Sequence, residues 1–200
     1  MSTPLLAGAD ALSFEEYLSA YEGIHAEWVA GTVVTTGPVL DRNQDVANFL
    51  TGVFRVFAEE RGIGVVRSAP WAIRIANSAR EPDVMFVATG HLDRFRPSYL
   101  DGAPDLAVEI ISPDHRRRDR ADKFYEYEQA GVREYWLIEP AREQAEIYRL
   151  DERGVYEPVA AGSPARLRSE VMPGLWIDPA WLWSEPMPKV SWVLREWGLI

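Results

Sequence analysis

The sequence predicts an α/β protein built on a central mixed β-sheet flanked by helices. Three observations carry that prediction. Residues 105–140, DLAVEIISPDHRRRDRADKFYEYEQAGVREYWLIEP, read as strand, charged turn, helix and strand, the βαβ pattern of a parallel pair. The stretch HAEWVAGTVVTTG holds two β-rich runs on either side of Ala30-Gly31, which is a hairpin signal. Trp71, Ile73 and Ile75 alternate with Ala72, Arg74 and Ala76, as in a half-buried strand.

Taken in order, the elements begin with a helix. Ser13 and Glu16 have capping-box spacing, and Phe14, Tyr17, Leu18 and Tyr21 make the short helix behind them amphipathic. The hairpin follows, with Glu27 on its first strand, and residues 38–41 read as a turn. Over residues 43–61, Val46, Leu50, Val53, Phe54 and Phe57 repeat at helical spacing, and Gly62 supplies the stop. Residues 65–76 are strand-like, NSAREP turns the chain, and Asp83 opens another apolar strand, VMFVA. Residues 89–104 read as an irregular surface loop, of a length that is often functional.

In the 105–140 block, residues 106–111 are apolar except for Glu109. Such a run suits a strand buried on both faces, where an ionised carboxylate is costly unless a cation meets it. The next helix starts within HRRRDRADK, with Asp119 and Lys123 one turn apart. EYWLIE is the following strand, AREQ turns the chain, 145–150 is a further hairpin strand, and 151–170 is polar with short strands.

Two hundred residues suit one domain spanning 1–200, ending in a tryptophan-rich tail from about residue 178. Five of the eight tryptophans, Trp176, Trp181, Trp183, Trp192 and Trp197, fall in the last 25 residues. They predict that the tail covers an open face of the domain or packs on a second subunit, and its apolar content leads us to expect a homodimer. There is no cysteine, so disulfides, thiolate zinc sites and cysteine nucleophiles are excluded. No apolar run approaches the roughly 20 residues of a membrane span and MSTPLLAGADALS lacks a basic start, so the expected location is cytoplasmic, with no membrane partner.

The 21 basic and 31 acidic residues give a net charge of −10, which argues against a nucleic-acid coat or an anionic membrane partner. Locally the balance reverses, because DHRRRDRADK holds five basic residues against three acidic ones. His25, His91 and His115 lack ligand spacing, and GxGxxG, GxxxxGK[ST] and GxSxG are all missing, which removes the usual zinc, nucleotide and serine-hydrolase readings.

What remains is a pair of carboxylates. Asp83 follows Pro82 at the start of one strand and Glu109 lies within the next. Adjacent strands would bring both side chains onto one face, where they repel unless a hard divalent cation, magnesium or manganese, lies between them. Such an ion activates water and neutralises phosphate charge, and a lysine nearby, Lys123, would help orient that water. Arg116, Arg117 and Arg118 are candidates for drawing a phosphate backbone towards an otherwise negative protein. Each residue also has a plainer reading: Asp83 as a turn cap or a partner for Arg80, and Lys123 as one end of a surface ion pair.

EPDVMFV, PDLAVEIISP and RRRDRADKFYEYEQAGVREYWLIEP together resemble the bacterial Uma-type restriction endonuclease family, within the PD-(D/E)XK nuclease superfamily. The resemblance runs from the N-terminal helix to PGLWI near 173–177. It implies a restriction endonuclease-like core and a metal-dependent endonuclease acting on phosphodiester bonds, most of all those of DNA. It assigns Asp83 and Glu109 as metal-binding acids, the backbone carbonyl of Ile110 as a further ligand, and Glu27 as the upstream glutamate, a residue that also suits an exposed strand position. The superfamily lysine is expected two residues after the glutamate, where this chain has Ile111, and Lys123 of the next helix takes its place. At the start of the second helix the family's histidine is replaced by Asn43 and Gln44. The alternative is a non-catalytic homodimer that keeps the nuclease fold and binds nucleic acid or protein.

Overall fold

The structure is a computed structural model that describes residues 11–35, 40–111, 119–160 and 166–200. Helix α1, Phe14–Ala20, starts at the expected capping box: Glu16 N–H donates to the Ser13 hydroxyl at 3.2 Å, and Ser13 N–H donates to the Glu16 carboxylate at 2.8 Å. Strands β1, Ala26–Val29, and β2, Thr32–Thr35, form the hairpin. Its two turn residues, Ala30 at φ 48° and Gly31 at φ 88°, are both left-handed, the geometry whose twist matches paired strands. Helix α2, Asp41–Arg61, ends at Gly62, which takes φ 61° and returns its N–H to the last turn.

Two sheets carry most of the chain. The larger has the order β11-β10-β9-β8-β6-β3 and the smaller β2-β1-β5-β4-β7. In the larger, β3 is Gly64–Ser68, β6 Val84–Ala88, β8 Leu106–Ile110, β9 Glu134–Glu139, β10 Gln144–Leu150 and β11 Tyr156–Ala160. β8 and β9 are parallel, joined through a π-helical turn at Asp119–Lys123 and helix α3, Phe124–Ala130, while the other pairs of this sheet are antiparallel. This is the mixed sheet the sequence predicted, with the strands bearing Asp83 and Glu109 side by side.

The run 65–76 is two strands rather than one. β3 ends at Ser68, and β4, Ala72–Ile75, belongs to the other sheet, because the chain turns through Ala69-Pro70 between them and proline cannot donate to a ladder. NSAREP likewise turns only at Ala76-Asn77 and then forms β5, Ser78–Arg80. Residues 89–104 are not irregular throughout. They hold a 3-10 turn, Thr89–Arg94, and strand β7, Tyr99–Asp101, whose buried Leu100 packs beside Ile73 in parallel pairing with β4.

The larger sheet is covered on both faces. On one, α2 buries Val46, Leu50, Val53, Phe54 and Phe57 against Val84, Phe86, Val108, Ile110 and Trp136. On the other, Tyr127 of α3 packs with Met85, Val87, Ala107, Ile111, Tyr135 and Leu137. Alternation along β8 therefore sends Glu109 to the α3 side. The tail adds α4, Pro179–Trp183, and α5, Val190–Glu196, after the short pair β12, Leu167–Arg168, and β13, Trp176–Ile177. It folds back on α2: Leu182 and Val193 join the buried cluster, and Trp197 meets Phe57 edge-on at 5.4 Å. The tail thus covers an open face of its own domain with part of the apolar surface that motivated the homodimer expectation, and Trp192 is left 42% exposed.

Edge strand β3 lies so close to β6 that a Cβ added at Gly64 would come 2.2 Å from the Val87 carbonyl oxygen and 2.6 Å from the Phe86 ring. Backbone cannot yield as a flexible side chain can. Gly64→Ala should therefore lower the unfolding free energy by about 1–3 kcal/mol in urea denaturation, the usual effect of overpacking.

Candidate active site

Strand register decides which acids meet. Val84 pairs with Val108 and Met85 with Ala107, and that register, continued one residue past the end of the ladder, puts Asp83 opposite Glu109 on one face. Asp83 is half-buried, and its Oδ2 accepts the Ile110 N–H at 2.6 Å, a charge-assisted bond that holds the carboxylate to the end of β8. Glu109 is 4% exposed and has the cation it needs. Lys123 Nζ donates to Glu109 Oε2 at 2.7 Å, and the Tyr127 hydroxyl donates to Oε1 at 2.7 Å. Tyr127 keeps its proton, since burial and then the Glu109 carboxylate push its phenol well above the ordinary range.

The same amine reaches Glu27. Lys123 Nζ lies 2.9 Å from Glu27 Oε1, so one ammonium bridges a carboxylate of the smaller sheet and one of the larger. Glu27 Oε2 takes Arg80 Nη1 at 2.9 Å, and the rest of that guanidinium is held by both oxygens of Glu126, through Nε at 2.7 Å and Nη2 at 2.5 Å. Burial alone would raise the Glu27 carboxyl, but the Lys123 ammonium and the Arg80 guanidinium overcome it and hold the group down at about 2. Glu27 is 7% exposed, so it sits inside the network rather than at an exposed strand position.

Glu81, next to the Pro82-Asp83 pair, behaves in the opposite way. Burial, and after it the Glu27 carboxylate, raise its carboxyl to about 8. His25 Nε2 lies 3.1 Å from Glu81 Oε2, without the alignment of a hydrogen bond. Burial also lowers the imidazole of His25, so the proton of this contact resides on the carboxyl near neutral pH.

The sequence expectations fall out unevenly. Glu109, Lys123 and Glu27 meet, Asp83 is tied to the backbone of the residue after Glu109, and Lys123 is 5% exposed rather than on a solvated helix face. Arg80 is taken by Glu27 and Glu126, leaving Asp83 to anchor on backbone. Arg116, Arg117 and Arg118 lie outside the described residues. The Ile110 carbonyl is approached at 3.4 Å by the buried Asn43 amide, from the position where the family's histidine was expected. Reading the sequence missed Arg80, Glu126, Tyr127 and Glu81 as members of the network. The signal was present in the charged stretch Arg80-Glu81-Pro82-Asp83, and in Glu126 and Tyr127 three and four residues after Lys123, one helical turn away.

The donor set fits a hard divalent cation. Asp83 and Glu109 present carboxylate oxygens on one face, the Ile110 carbonyl follows Glu109 at the end of the same strand, and the acids around them outnumber Lys123 and Arg80. No group of three or more acidic, histidine or cysteine ligands occurs among the described residues. A cation held here would thus take few protein ligands and keep several waters, as magnesium does.

A mixed sheet with helices on both faces, carrying this acid pair and a helix-borne lysine, is the restriction endonuclease-like class of fold. The chain belongs to the Uma2 family, whose model, described as a putative restriction endonuclease, matches residues 14–180. Among solved structures it is similar to a protein from Anabaena variabilis described as a putative nuclease belonging to DUF820. That likeness has a TM-score of 0.71 and 16% identity over 86% of this chain and 97% of the other. The search of curated proteins gave no match. No helix among the described residues is long and apolar enough to cross a membrane.

Removing the bridging amine should expose what the network costs. Lys123→Met leaves Glu27 and Glu109 facing each other without their shared cation, and should lower the unfolding free energy by roughly 3–5 kcal/mol. Adding Glu27→Gln to that variant should restore part of the loss in the same denaturation assay.

Stability should also carry the mark of Glu81. Its carboxyl is raised from 4.5 to about 8, so between those values the folded chain binds the proton and the unfolded chain does not. Stability therefore falls as pH rises through that window. Glu81→Gln should flatten the decline between pH 5 and 9 in thermal melts, and an equally steep decline in the variant would show that another group is responsible.

Proposed function

We propose that the protein is a metal-dependent endonuclease that hydrolyses phosphodiester bonds of nucleic acid, with DNA as the first substrate to test. One observation carries this reading: Asp83 and Glu109 share a sheet face and Lys123 is fixed on Glu109, in a chain of a nuclease family. Asp83, Glu109 and the Ile110 carbonyl are the groups that would hold magnesium or manganese. Bound there, the metal would supply a more acidic water and neutralise charge developing on the phosphate.

The chain's own residues do the rest. The Ile110 N–H aims the Asp83 carboxylate, and Tyr127 holds one oxygen of Glu109 so that the acid cannot rotate away. Lys123 donates towards the same face, where an ammonium orients the attacking water and stabilises negative charge on phosphate oxygens. Glu27 keeps that amine in place from the other side. Arg116, Arg117 and Arg118 are the proposed contacts to the phosphate backbone. With no cysteine and no serine in a nucleophile motif, attack by water in one step is the route the residues support.

The fold-retaining binding protein is the second reading, favoured by the lack of a three-ligand cluster among the described residues. Cleavage of labelled DNA and RNA by the wild type, Asp83→Asn, Glu109→Gln and Lys123→Ala, each with magnesium and with excess chelator, separates the two. The expected result is loss of cleavage by about 100-fold or more in each folded variant, and with chelator. Cleavage that survives chelator, or survives loss of both carboxylates, would rule out the metal-dependent mechanism. Absence of cleavage by the wild type on every substrate would leave the binding protein.

A further inference from the structure

We propose that Arg67 is a contact for the phosphate backbone of a nucleic-acid strand beside the Asp83–Glu109 pair, held ready for it by Trp71 and Phe95. The nuclease reading says where such a strand would run. Arg67's own surroundings say what it would bind.

The Arg67 guanidinium lies 5.6 Å from the centroid of the Trp71 ring and 5.5 Å from that of Phe95, and the two rings meet edge-on at 6.2 Å. One of its N–H groups donates to the Val66 carbonyl at 3.1 Å. Ring contacts of this kind fix a guanidinium while leaving most of its five donors unspent on protein acceptors. Acids take up many of the other arginines: Glu27 and Glu126 hold Arg80, Glu134 holds Arg149, Asp101 holds Arg96, and Asp151 holds Arg153. Arg67 has no carboxylate partner among the described residues, in a chain whose net charge is −10. A half-buried cation without an acid is the local chemistry of an anion site.

Its place in the sheet gives the anion an identity. Arg67 pairs with Met85, and Met85 stands two residues after Asp83, so Arg67, Asp83 and Glu109 all belong to the same face. The chain leaving β3 touches the candidate site directly, since Ala69 N–H donates to the Asp83 carbonyl at 3.3 Å. Strand geometry puts the Arg67 backbone one strand across, ~4.8 Å, and two residues along, ~6.8 Å, from that of Asp83. A neighbouring nucleotide can bridge such a step when the scissile phosphate sits at the acids. β3 is an edge strand, so a polymer can pass over it without crossing the rest of the sheet. DNA and RNA share this phosphate chemistry, and the substrates below distinguish them.

The test is fluorescence anisotropy of labelled single-stranded DNA, duplex DNA and single-stranded RNA, with chelator present to stop turnover, between about 50 and 200 mM salt. Arg67→Gln should weaken binding about tenfold and lower the slope of log K against log salt by about 1, the signature of one lost phosphate contact. Arg67→Lys should keep the slope. The control is Arg61→Gln: Arg61 also lies over a ring, 5.7 Å from the Phe57 centroid, but before β3 begins, away from Asp83, and its loss should leave affinity and slope unchanged. Hydrolysis of bis(p-nitrophenyl) phosphate, whose single phosphate would sit at the acids and leave none for Arg67, reports on the acids alone. It should be equal in Arg67→Gln and wild type and lost in Asp83→Asn. If the wild type with magnesium cleaves none of the three nucleic acids but the Arg67→Gln slope still drops, the nuclease reading fails and the Arg67 contact stands. Equal affinity and slope in Arg67→Gln and wild type, or no binding of any of the three nucleic acids by the wild type, overturns the proposal.

Discussion

The ammonium of Lys123, shared between Glu27 and Glu109, is the contact on which the rest of the arrangement depends. It joins three pieces of the chain that no backbone ladder connects at this point: the hairpin strand β1, the buried strand β8 and the helical crossover before α3. Taking these charges out of water is costly, and their attraction repays the cost only when each is met at close range and satisfied by further hydrogen bonds. Tyr127 and Arg80 provide those bonds, to Glu109 and to Glu27 respectively. A network of this kind adds little net stability. It does penalise any packing of hairpin, sheet and helix that leaves one member unpaired, and so selects a single relative placement.

That constraint also explains how a lysine outside β8 reaches the acid of that strand. Two residues beyond Glu109, on the same face, the chain has Ile111, 3% exposed and packed with Tyr127 and Leu137. The amine reaches Glu109 instead from Lys123, the last residue of the π-helical turn that leads into α3. A π turn is wider than an α turn and re-aims the side chains at its end, a device found often at functional positions. The strand keeps an apolar contact, and the charge still arrives beside Glu109.

Charge on this protein is local rather than global. A chain of net charge −10 keeps Lys123 and Arg80 occupied by acids, while Arg67 is laid over aromatic rings with no acid beside it among the described residues. Glu27 and Glu81 show the same locality in protons. They lie in one cluster, yet the first is held near 2 by two cations, while burial and its neighbour's charge raise the second to about 8. Burial and the charges of specific neighbours set each value, and net charge does not.

The amino-acid sequence by itself determined the elements whose signals are local. The capping box at Ser13 and Glu16, the left-handed Ala30-Gly31 turn, the Gly62 stop and the strand–helix–strand block at 105–140 were legible because each depends on residues a few positions apart. Glu109 was legible for a different reason: a carboxylate in a buried strand demands a cation, and Lys123 was near enough in sequence to be considered. Tertiary structure decided what depends on distant residues. It separated β3 from β4 into two sheets and turned part of the 89–104 segment into a strand. It also folded the tryptophan tail onto α2, and made Arg80 the partner of Glu27 and Glu126 rather than of its neighbour Asp83. Pairing register and burial choose among partners of similar chemistry, and both are set by contacts dozens of residues apart that no local pattern encodes.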